Sequence, residues 1–268
     1  MKYKLLVLDL DGTLTNNNKE ITPRTLQSLL KLQASGVQLV LASGRPTYGI
    51  TPLAEQLQMS RFGGYILSFN GGKIIEVQGM KTIFEQVLPR EIVPSLHSAS
   101  LEAGAVILTY EDEFILTEQP KDKYVGHEVF LTKMATKQVD DFSAAVTFNP
   151  DKCLIVGEPD SLVPLADNLN EQFGEQLSAY RSEPFFLEVV PKGIDKALSL
   201  NRLFEHVGCT AEDIVAVGDG FNDLSMIQLA GFGVAMANAQ EVVKEAADYV
   251  TLSNEEDGVA ELVERFLM

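Results

Sequence analysis

The first seventy residues alternate between two hydrophobic patterns. Four consecutive apolar residues at 5–8 predict a strand that is covered on both faces and runs to position 9. A helix is predicted next, because Thr22 and Pro23 form a start signal and Gly36 a stop. Further apolar periodicity predicts a strand at 37–42, a helix at about 47–58 and a strand at 65–69. This βαβαβ order indicates a parallel sheet with helices on both faces.

The pattern changes after Gly72 and changes back after Pro191. Between these points the sequence predicts hairpins mixed with helices, which is typical of an α+β unit with an antiparallel sheet. Beyond Pro191 the α/β alternation resumes with a helix at 195–207 and the strand "DIVAVGD". We therefore predict a Rossmann-like α/β core formed by residues 1–82 and 188–268, split by an α+β domain at 83–187.

Composition narrows the possible partners. The 268 residues carry a formal net charge of −17, with 38 acidic against 21 basic side chains. Such a chain repels phosphate backbones and anionic lipid, so nucleic-acid or membrane binding is not expected. Two isolated cysteines fit neither a disulfide framework nor a zinc site, and no signal peptide or membrane span is evident. We expect a cytoplasmic protein, with a monomer as the default.

Polar residues collect where the predicted strands end. In an open parallel sheet, ligands bind beyond the carboxyl ends of the strands. Glycines accompany these polar residues and allow the backbone to approach a ligand closely. The candidates are Asp9, Asp11 and Gly12 after the first strand, Ser43, Gly44 and Arg45 after the second, Asn70 and Gly71 after the third, and Asp219, Asn222 and Asp223 after the strand near 214.

The acids predict a cation. Asp9, Asp11 and Asp219 would repel one another at one sheet edge unless a cation lay between them, and oxygen ligands without histidine or cysteine favour Mg²⁺. Asp223 is equally well interpreted as a helix cap. Taken singly, Ser43 and Asn70 are also ordinary turn residues. Two lysines, Lys192 and Lys196, stand in "VPKGIDK", and the residues alone do not choose between them.

Four stretches taken together resemble the motifs of the haloacid dehalogenase (HAD) superfamily. They are "DLDGTL", "ASGR", the lysine at 192 and "GDGFND", in that order. The α+β insertion after the second motif, with "SFNGG" ahead of it, resembles the Cof-type (subfamily IIB) phosphatases with a C2B cap. The resemblance covers essentially the whole chain.

This resemblance implies a role for each matched residue. Asp9 would be the nucleophile and Asp11 the general acid and base. Ser43 and Lys192 would hold phosphoryl oxygens, with Lys192 also damping charge on Asp9. Mg²⁺ would be bound by Asp9, the backbone carbonyl of Asp11, and Asp219, with Asp223 as a further ligand. The remaining phosphate or substrate contacts would come from Asn70, Asn222, Arg45 and the loop glycines Gly12, Gly44 and Gly71.

Three functions are compatible with these residues. We favour a Mg²⁺-dependent phosphatase acting on a small phosphorylated metabolite, with sugar phosphates as the first class to consider. A phosphomutase of the C2B-capped type is the alternative, and it would need clustered basic residues in the insertion to hold a second phosphate. A non-catalytic phosphate-binding module is the third, and the intact set of acids argues against it.

Overall fold

The computed structural model of this chain describes residues 2–268, which divide into two compact units. The first unit consists of the chain up to Phe84 and again from Asp195 onward, and the second is Glu85–Ile194. The divisions fall after Phe84 and after Ile194, whereas the sequence predicts them after 82 and after 187.

The described chain contains fourteen strands and eleven α-helices. The strands, in order, are β1 (Leu5–Leu8), β2 (Gln38–Ala42), β3 (Gly64–Ser68), β4 (Lys73–Glu76), β5 (Lys81–Glu85), β6 (Val106–Glu111), β7 (Phe114–Thr117), β8 (Ala135–Gln138), β9 (Cys153–Val156), β10 (Leu177–Glu183), β11 (Phe186–Pro191), β12 (Ile214–Gly218), β13 (Phe232–Ala235) and β14 (Tyr249–Val250). The helices are α1 (Pro23–Ala34), α2 (Thr47–Gln56), α3 (Met59–Phe62), α4 (Val93–Glu102), α5 (Lys123–Thr132), α6 (Phe142–Ala145), α7 (Pro159–Phe173), α8 (Lys196–Val207), α9 (Leu224–Leu229), α10 (Glu241–Ala246) and α11 (Gly258–Leu262).

The sheet of the first unit has the order β14-β13-β12-β1-β2-β3-β4-β5. Its pairings from β14 to β3 are parallel, and β4 is antiparallel to β3. The central strand β1 lies between β2 and β12, with Leu8 opposite both Leu41 and Val217. The carboxyl ends of these three strands therefore stand side by side, at the point where the strand order reverses and a ligand crevice is expected.

Burial explains why β1 takes the centre of this sheet. Its side chains are at most 1% exposed, and they serve both faces. Leu6 and Leu8 belong to one apolar cluster, whereas Leu5 and Val7 belong to a second cluster with residues of α8 and β12. Such a strand holds its last residue and the loop behind it in a fixed place.

The second unit has a sheet of its own with the order β10-β11-β9-β6-β7-β8. Its pairings are antiparallel as predicted, except that β8 runs parallel to β7. One apolar cluster joins this sheet to helices α4 and α7. Helix α5 and the segment around β8 were not anticipated. Asp122 caps α5 by accepting from the backbone N–H groups of Tyr124 and Val125, but Gly126 interrupts its apolar periodicity.

No helix among residues 2–268 combines the length and the apolar character needed to cross a membrane.

Candidate active site

The carboxylate of Asp9 is held by a buried lysine. Asp9 directly follows β1, is 6% exposed, and its Oδ1 accepts from Lys196 Nζ at 2.7 Å. The same ammonium donates to Asp223 Oδ1 at 2.6 Å. Lys196 is 1% exposed and is the first residue of α8, whose N-terminus Asp195 caps by accepting from the N–H groups of Ala197 and Leu198. The helix start thus places a cation between two buried acids.

This arrangement corrects the predicted lysine. Lys192, which we expected to damp the charge on Asp9, is exposed and belongs to the second unit, where its backbone N–H donates to the carbonyl of Gln176. The motif resemblance assigns this role to Lys192, but that residue stands in the turn after β11 and outside α8. Lys196 is the first residue of α8, is 1% exposed and supplies the ammonium that contacts Asp9.

The loop after β12 is shaped by Asp223. Its Oδ2 accepts from the backbone N–H groups of Asp219 and Gly220, each at 2.9 Å, while its Oδ1 accepts from Lys196. Asp223 is 1% exposed, so both interactions are shielded from water. Asp223 directly precedes α9 but its side chain does not cap that helix; it accepts instead from the loop before it and belongs to the acidic cluster.

The three acids carry more negative charge than Lys196 compensates. Burial, together with the charges of Asp223 and Asp219, raises the pKa of Asp9 well above its usual value, against the opposing effect of Lys196. Burial and the charge of Asp223 raise the pKa of Asp219 to about 7. The buried lysine keeps its own proton, since Asp223 and Asp9 raise its pKa despite burial. One cation among three carboxylates leaves a net negative site.

This donor set fits a divalent cation. Ligand oxygens of Asp9, Asp219 and Asp223 lie within 4.8 Å of one another. All three are hard carboxylate donors, and no histidine or cysteine is among them. Such a set of ligands favours Mg²⁺ over softer metals. Thr13 Oγ1 donates to Asp219 Oδ1 at 3.0 Å and so orients that carboxylate. Asp9 and Asp219 are free to offer an oxygen, whereas both oxygens of Asp223 already accept hydrogen bonds.

Gly12 lets two loops come together at the acids. Its φ is +85°, in the left-handed region, and a Cβ added to it would lie 2.4 Å from Asp219 Oδ2. Its carbonyl accepts from Asn238 Nδ2 at 2.8 Å, which ties the loop after β1 to the loop after β13. A side chain at this position would displace the carboxylate of Asp219.

Asp11 lies two residues beyond Asp9 and is held differently. Arg45 grips it with a bidentate fork, Nε to Oδ2 at 2.8 Å and Nη2 to Oδ1 at 2.6 Å. Lys19 Nζ lies 2.8 Å from the same Oδ1. Although burial opposes the effect, Arg45 and Lys19 lower the pKa of Asp11. The neighbouring acids Asp9 and Asp11 therefore sit in different environments, Asp9 beside one buried cation and two further acids and Asp11 between two cations.

The predicted phosphate-binding residues line the loops after β2 and β3. Ser43 is 3% exposed, and its Oγ accepts from the backbone N–H of Arg45 at 3.2 Å. Its carbonyl accepts from Asn70 N–H at 2.9 Å, so the two loops are joined. Asn70 has a φ of +56° and its Oδ1 accepts from Asn222 Nδ2 at 3.1 Å. Three loops are linked by these bonds.

The glycines of this region permit close packing. A Cβ on Gly44 would approach the Asn70 amide to 3.2 Å, and one on Gly71 would lie 2.4 Å from Ser199 Oγ. Ser199 Oγ in turn donates to the carbonyl of Gly71 at 2.8 Å. Except for Lys192, the structure brings the candidate residues to loops at one edge of the first unit's sheet.

Four further residues of this edge were missed or passed over. Lys196 is one of the two lysines that the sequence offers, and its distinguishing feature is its place directly after the capping Asp195. Thr13 lies within "DLDGTL" without a predicted role, whereas Lys19 and Asn238 belong to no quoted motif, and only the folded loops reveal what these three contact.

Comparison with known proteins agrees with this geometry. The family model described as haloacid dehalogenase-like hydrolase matches residues 6–263. A Bacillus subtilis (strain 168) relative, the 5-amino-6-(5-phospho-D-ribitylamino)uracil phosphatase YcsE, is 30% identical over 271 residues, with 99% of this chain and 96% of the relative covered.

Two solved structures extend the likeness to the fold. The crystal structure of a haloacid dehalogenase-like hydrolase from Bacteroides thetaiotaomicron is 55% identical with a TM-score of 0.96, covering 98% of this chain and 99% of that one. The HAD subclass IIB sugar phosphatase BT4131 is 27% identical with a TM-score of 0.82, covering 99% and 100%. The chain therefore belongs to the haloacid dehalogenase-like hydrolases, in the subclass IIB group, and is a phosphatase of that family.

Proposed function

We propose that this phosphatase hydrolyses phosphate monoesters of small metabolites, with sugar phosphates as the preferred class, and that it requires Mg²⁺. The observation that carries the proposal is the pair of unlike aspartates after β1. Asp9 is buried against Lys196 among further acids, whereas Asp11 is held by Arg45 two residues on. A nucleophile and a proton donor at this spacing are what a two-step phosphoryl transfer needs.

The proposed reaction has two steps. A carboxylate oxygen of Asp9 attacks phosphorus, the ester P–O bond breaks, and Asp11 gives its proton to the departing oxygen. In the second step Asp11 takes a proton from water as that water attacks the aspartyl phosphate, which releases inorganic phosphate and regenerates Asp9. Lys196 neutralises part of the charge between nucleophile and phosphoryl group. In this proposal Ser43 and the loops that contain Gly44 and Gly71 bind the phosphoryl oxygens.

Asp9 and Asp219 would hold the metal, with the carbonyl of Asp11 as a further ligand and Asp223 maintaining the loop. Bound Mg²⁺ supplies charge compensation between a carboxylate nucleophile and an anionic ester. That need is acute in a chain whose net charge is −17.

Sugar phosphates are proposed as the substrate class because of the subclass IIB sugar phosphatase among the similar structures. The YcsE relative is named for a ribityl phosphate, which is also a polyol ester. We assign catalysis to the first unit and the choice of leaving group to the second. The two cysteines are free thiols, as expected for the reducing cytoplasm in which we place the protein.

The pairing of basic side chains in the second unit favours hydrolysis over a mutase reaction. Lys123 pairs with Glu158, Lys137 with Glu111, and the buried Lys152 with Glu188. Arg90 Nε donates to the carbonyl of Val146. A second phosphate would have to displace the acids from these three lysines, and we therefore favour hydrolysis over transfer to a phosphorylated acceptor.

The test is a panel of phosphorylated metabolites assayed with the purified protein for release of inorganic phosphate, with Mg²⁺ and with a chelator. We expect Mg²⁺-dependent release, highest kcat/KM on sugar or polyol phosphates, and loss of turnover in Asp9→Asn with the fold retained. Asp213→Asn, at the other end of β12, is the matched control. Turnover by Asp9→Asn near the wild-type rate would refute the nucleophile, and an isomerised phosphate ester as product would favour the mutase.

A further inference from the structure

The asparagine run after the first motif builds a tight turn. Asn16 Oδ1 accepts from the backbone N–H groups of Asn18 and Glu20, each at 3.0 Å. The backbone N–H of Lys19 donates to the carbonyl of Asn16 at 2.9 Å. Asn17 N–H donates to Glu255 Oε1 at 2.6 Å, which anchors the turn to the segment before α11. These hydrogen bonds fix the conformation of the turn and therefore the position of Lys19.

Lys19 occupies a backbone conformation that lysine rarely adopts. Its φ is +64°, in the left-handed region where glycine and asparagine are comfortable. A non-glycine residue in this region is a reason to ask what its side chain contacts. The Lys19 ammonium lies 2.8 Å from Asp11 Oδ1, and its side chain is 17% exposed. The surface lysine of the Lys4–Asp213 pair, by contrast, is 58% exposed.

Asp11 is consequently held from two directions. Arg45, on the loop after β2, binds both of its oxygens, and Lys19, on the loop after β1, binds Oδ1. The Arg45 guanidinium fixes the plane of the carboxyl group and is itself held by a bond from Nη1 to the carbonyl of Gly49 at 3.4 Å. The Lys19 ammonium adds a second contact to Oδ1 from a different loop.

We propose that Lys19 is a positioning residue for Asp11, which keeps the carboxyl group in the place from which it passes its proton to the leaving oxygen. This inference rests on the proposed function, in which Asp11 is the acid and base. Proton transfer requires heavy atoms about 2.6–3.2 Å apart. A misplacement of about 1 Å can lower a rate about 100-fold. Lys19 acts through Asp11 and makes no bond to phosphorus or to the leaving group.

The experiment compares two substrates that differ in their need for an acid. The departing alkoxide of an alkyl phosphate must be protonated as the P–O bond breaks, whereas p-nitrophenolate leaves without a proton. Values of kcat/KM report this first step for both. The variants are Lys19→Met, which removes the charge, Lys19→Arg, which keeps it, and Lys19→Gly, which removes the side chain and suits the left-handed backbone. Lys4→Met is the matched control for loss of a paired surface lysine.

For the alkyl phosphate that the wild type turns over best, we expect Lys19→Met and Lys19→Gly to lower kcat/KM by about 10- to 100-fold, mainly through kcat. For p-nitrophenyl phosphate the change should stay within about threefold. Lys19→Arg should recover most of the alkyl activity. Lys19→Gly should unfold at the wild-type temperature or above it, because glycine relieves the strain, and Lys4→Met should leave both substrates unaffected.

Three results would overturn the inference. An unchanged alkyl-to-aryl ratio in Lys19→Met would show that Asp11 does not depend on Lys19. An equal fall on both substrates with a raised KM would show that Lys19 binds the phosphate itself. A fall in Lys19→Gly that follows a lower unfolding temperature would show a structural role only. If the wild type turned over neither substrate with Mg²⁺, the proposed function would fail, and this inference would fail with it.

Discussion

Lys196 Nζ donates to Asp9 Oδ1 and Asp223 Oδ1, at 2.7 and 2.6 Å, and all three side chains are withdrawn from water. Removing one partner of a buried ion pair leaves an uncompensated buried charge, which lowers the free energy of unfolding by roughly 3–5 kcal/mol. Lys196→Met should therefore lower the free energy of unfolding by about that amount and abolish turnover. Lys192→Met removes a lysine from the exposed turn after β11. It should leave the free energy of unfolding unchanged and kcat/KM within about twofold of the wild-type value. Equal loss of activity in the two variants would restore the original prediction for Lys192.

Mg²⁺ should raise the unfolding temperature of the protein, because an ion that binds only the folded state stabilises it. At a Mg²⁺ concentration about 100 times the dissociation constant, the gain is about 2.7 kcal/mol. Asp219→Asn should remove most of this shift, whereas Asp213→Asn, at the amino end of the same strand, should retain it. Thermal unfolding with Mg²⁺ and with chelator measures both. A full Mg²⁺ shift in Asp219→Asn would exclude Asp219 as a ligand.

Gly12→Ala should damage the site more than the fold. The new Cβ would meet Asp219 Oδ2 at 2.4 Å, and the backbone at φ +85° would be strained. We expect a loss of roughly 1–3 kcal/mol in stability and at least a tenfold fall in kcat, because the displaced carboxylate no longer faces Asp9. Gly79→Ala is the control, since its φ is +84° but no atom lies within 4 Å of the added Cβ. Comparable activity losses in the two would assign the effect to backbone strain alone.

The second unit should lose stability at alkaline pH through Cys153. Burial raises the pKa of this thiol from 9.0 to about 12. The folded state therefore holds the proton more tightly than the unfolded state, so the stabilisation is present below pH 9 and is lost as the pH rises from 9 to 12. Cys153→Ala should show a smaller decline, by about 2 kcal/mol at pH 10.5. Urea unfolding at pH 8 and pH 10.5 checks this against Cys209→Ala, whose thiol is only partly buried. Parallel declines in wild type and Cys153→Ala would contradict it.

Much of the fold was predictable because local patterns and long-range packing agree. The apolar run of β1 and the start signal at Thr22 and Pro23 fix a strand and a helix by themselves. Thr22 indeed accepts from the N–H of Thr25 as the N-cap of α1. Helix α5 escaped prediction because a central glycine and a mixed face, with Glu128 buried, hide its periodicity.

The site was predictable wherever residue type and strand end coincide. Asp9, Asp11 and Asp219 follow strands directly, so topology alone brings them together. Lys196 could not be chosen over Lys192 by topology, because the difference between them is where the next helix begins. Lys19 gave no signal at all, since only the φ of the folded turn and the side chain's path to Asp11 distinguish it from a surface lysine.

The chain re-enters its first unit at Asp195, which defines where the second unit could be exchanged for that of a related protein. Asp195 caps α8, and its Oδ2 also accepts from Ser225 Oγ at 2.7 Å. Both contacts lie within the first unit, so Asp195 is already part of that unit. The segment 85–194 can therefore be regarded as a cassette whose closing seam falls one residue ahead of the start of the catalytic helix. A chimera that carries a foreign cassette should keep its phosphoryl-transfer machinery when the graft ends at Ile194, and should lose it when the graft replaces Asp195 or Lys196. Substrate choice and reaction chemistry would then be inherited through different stretches of the same gene.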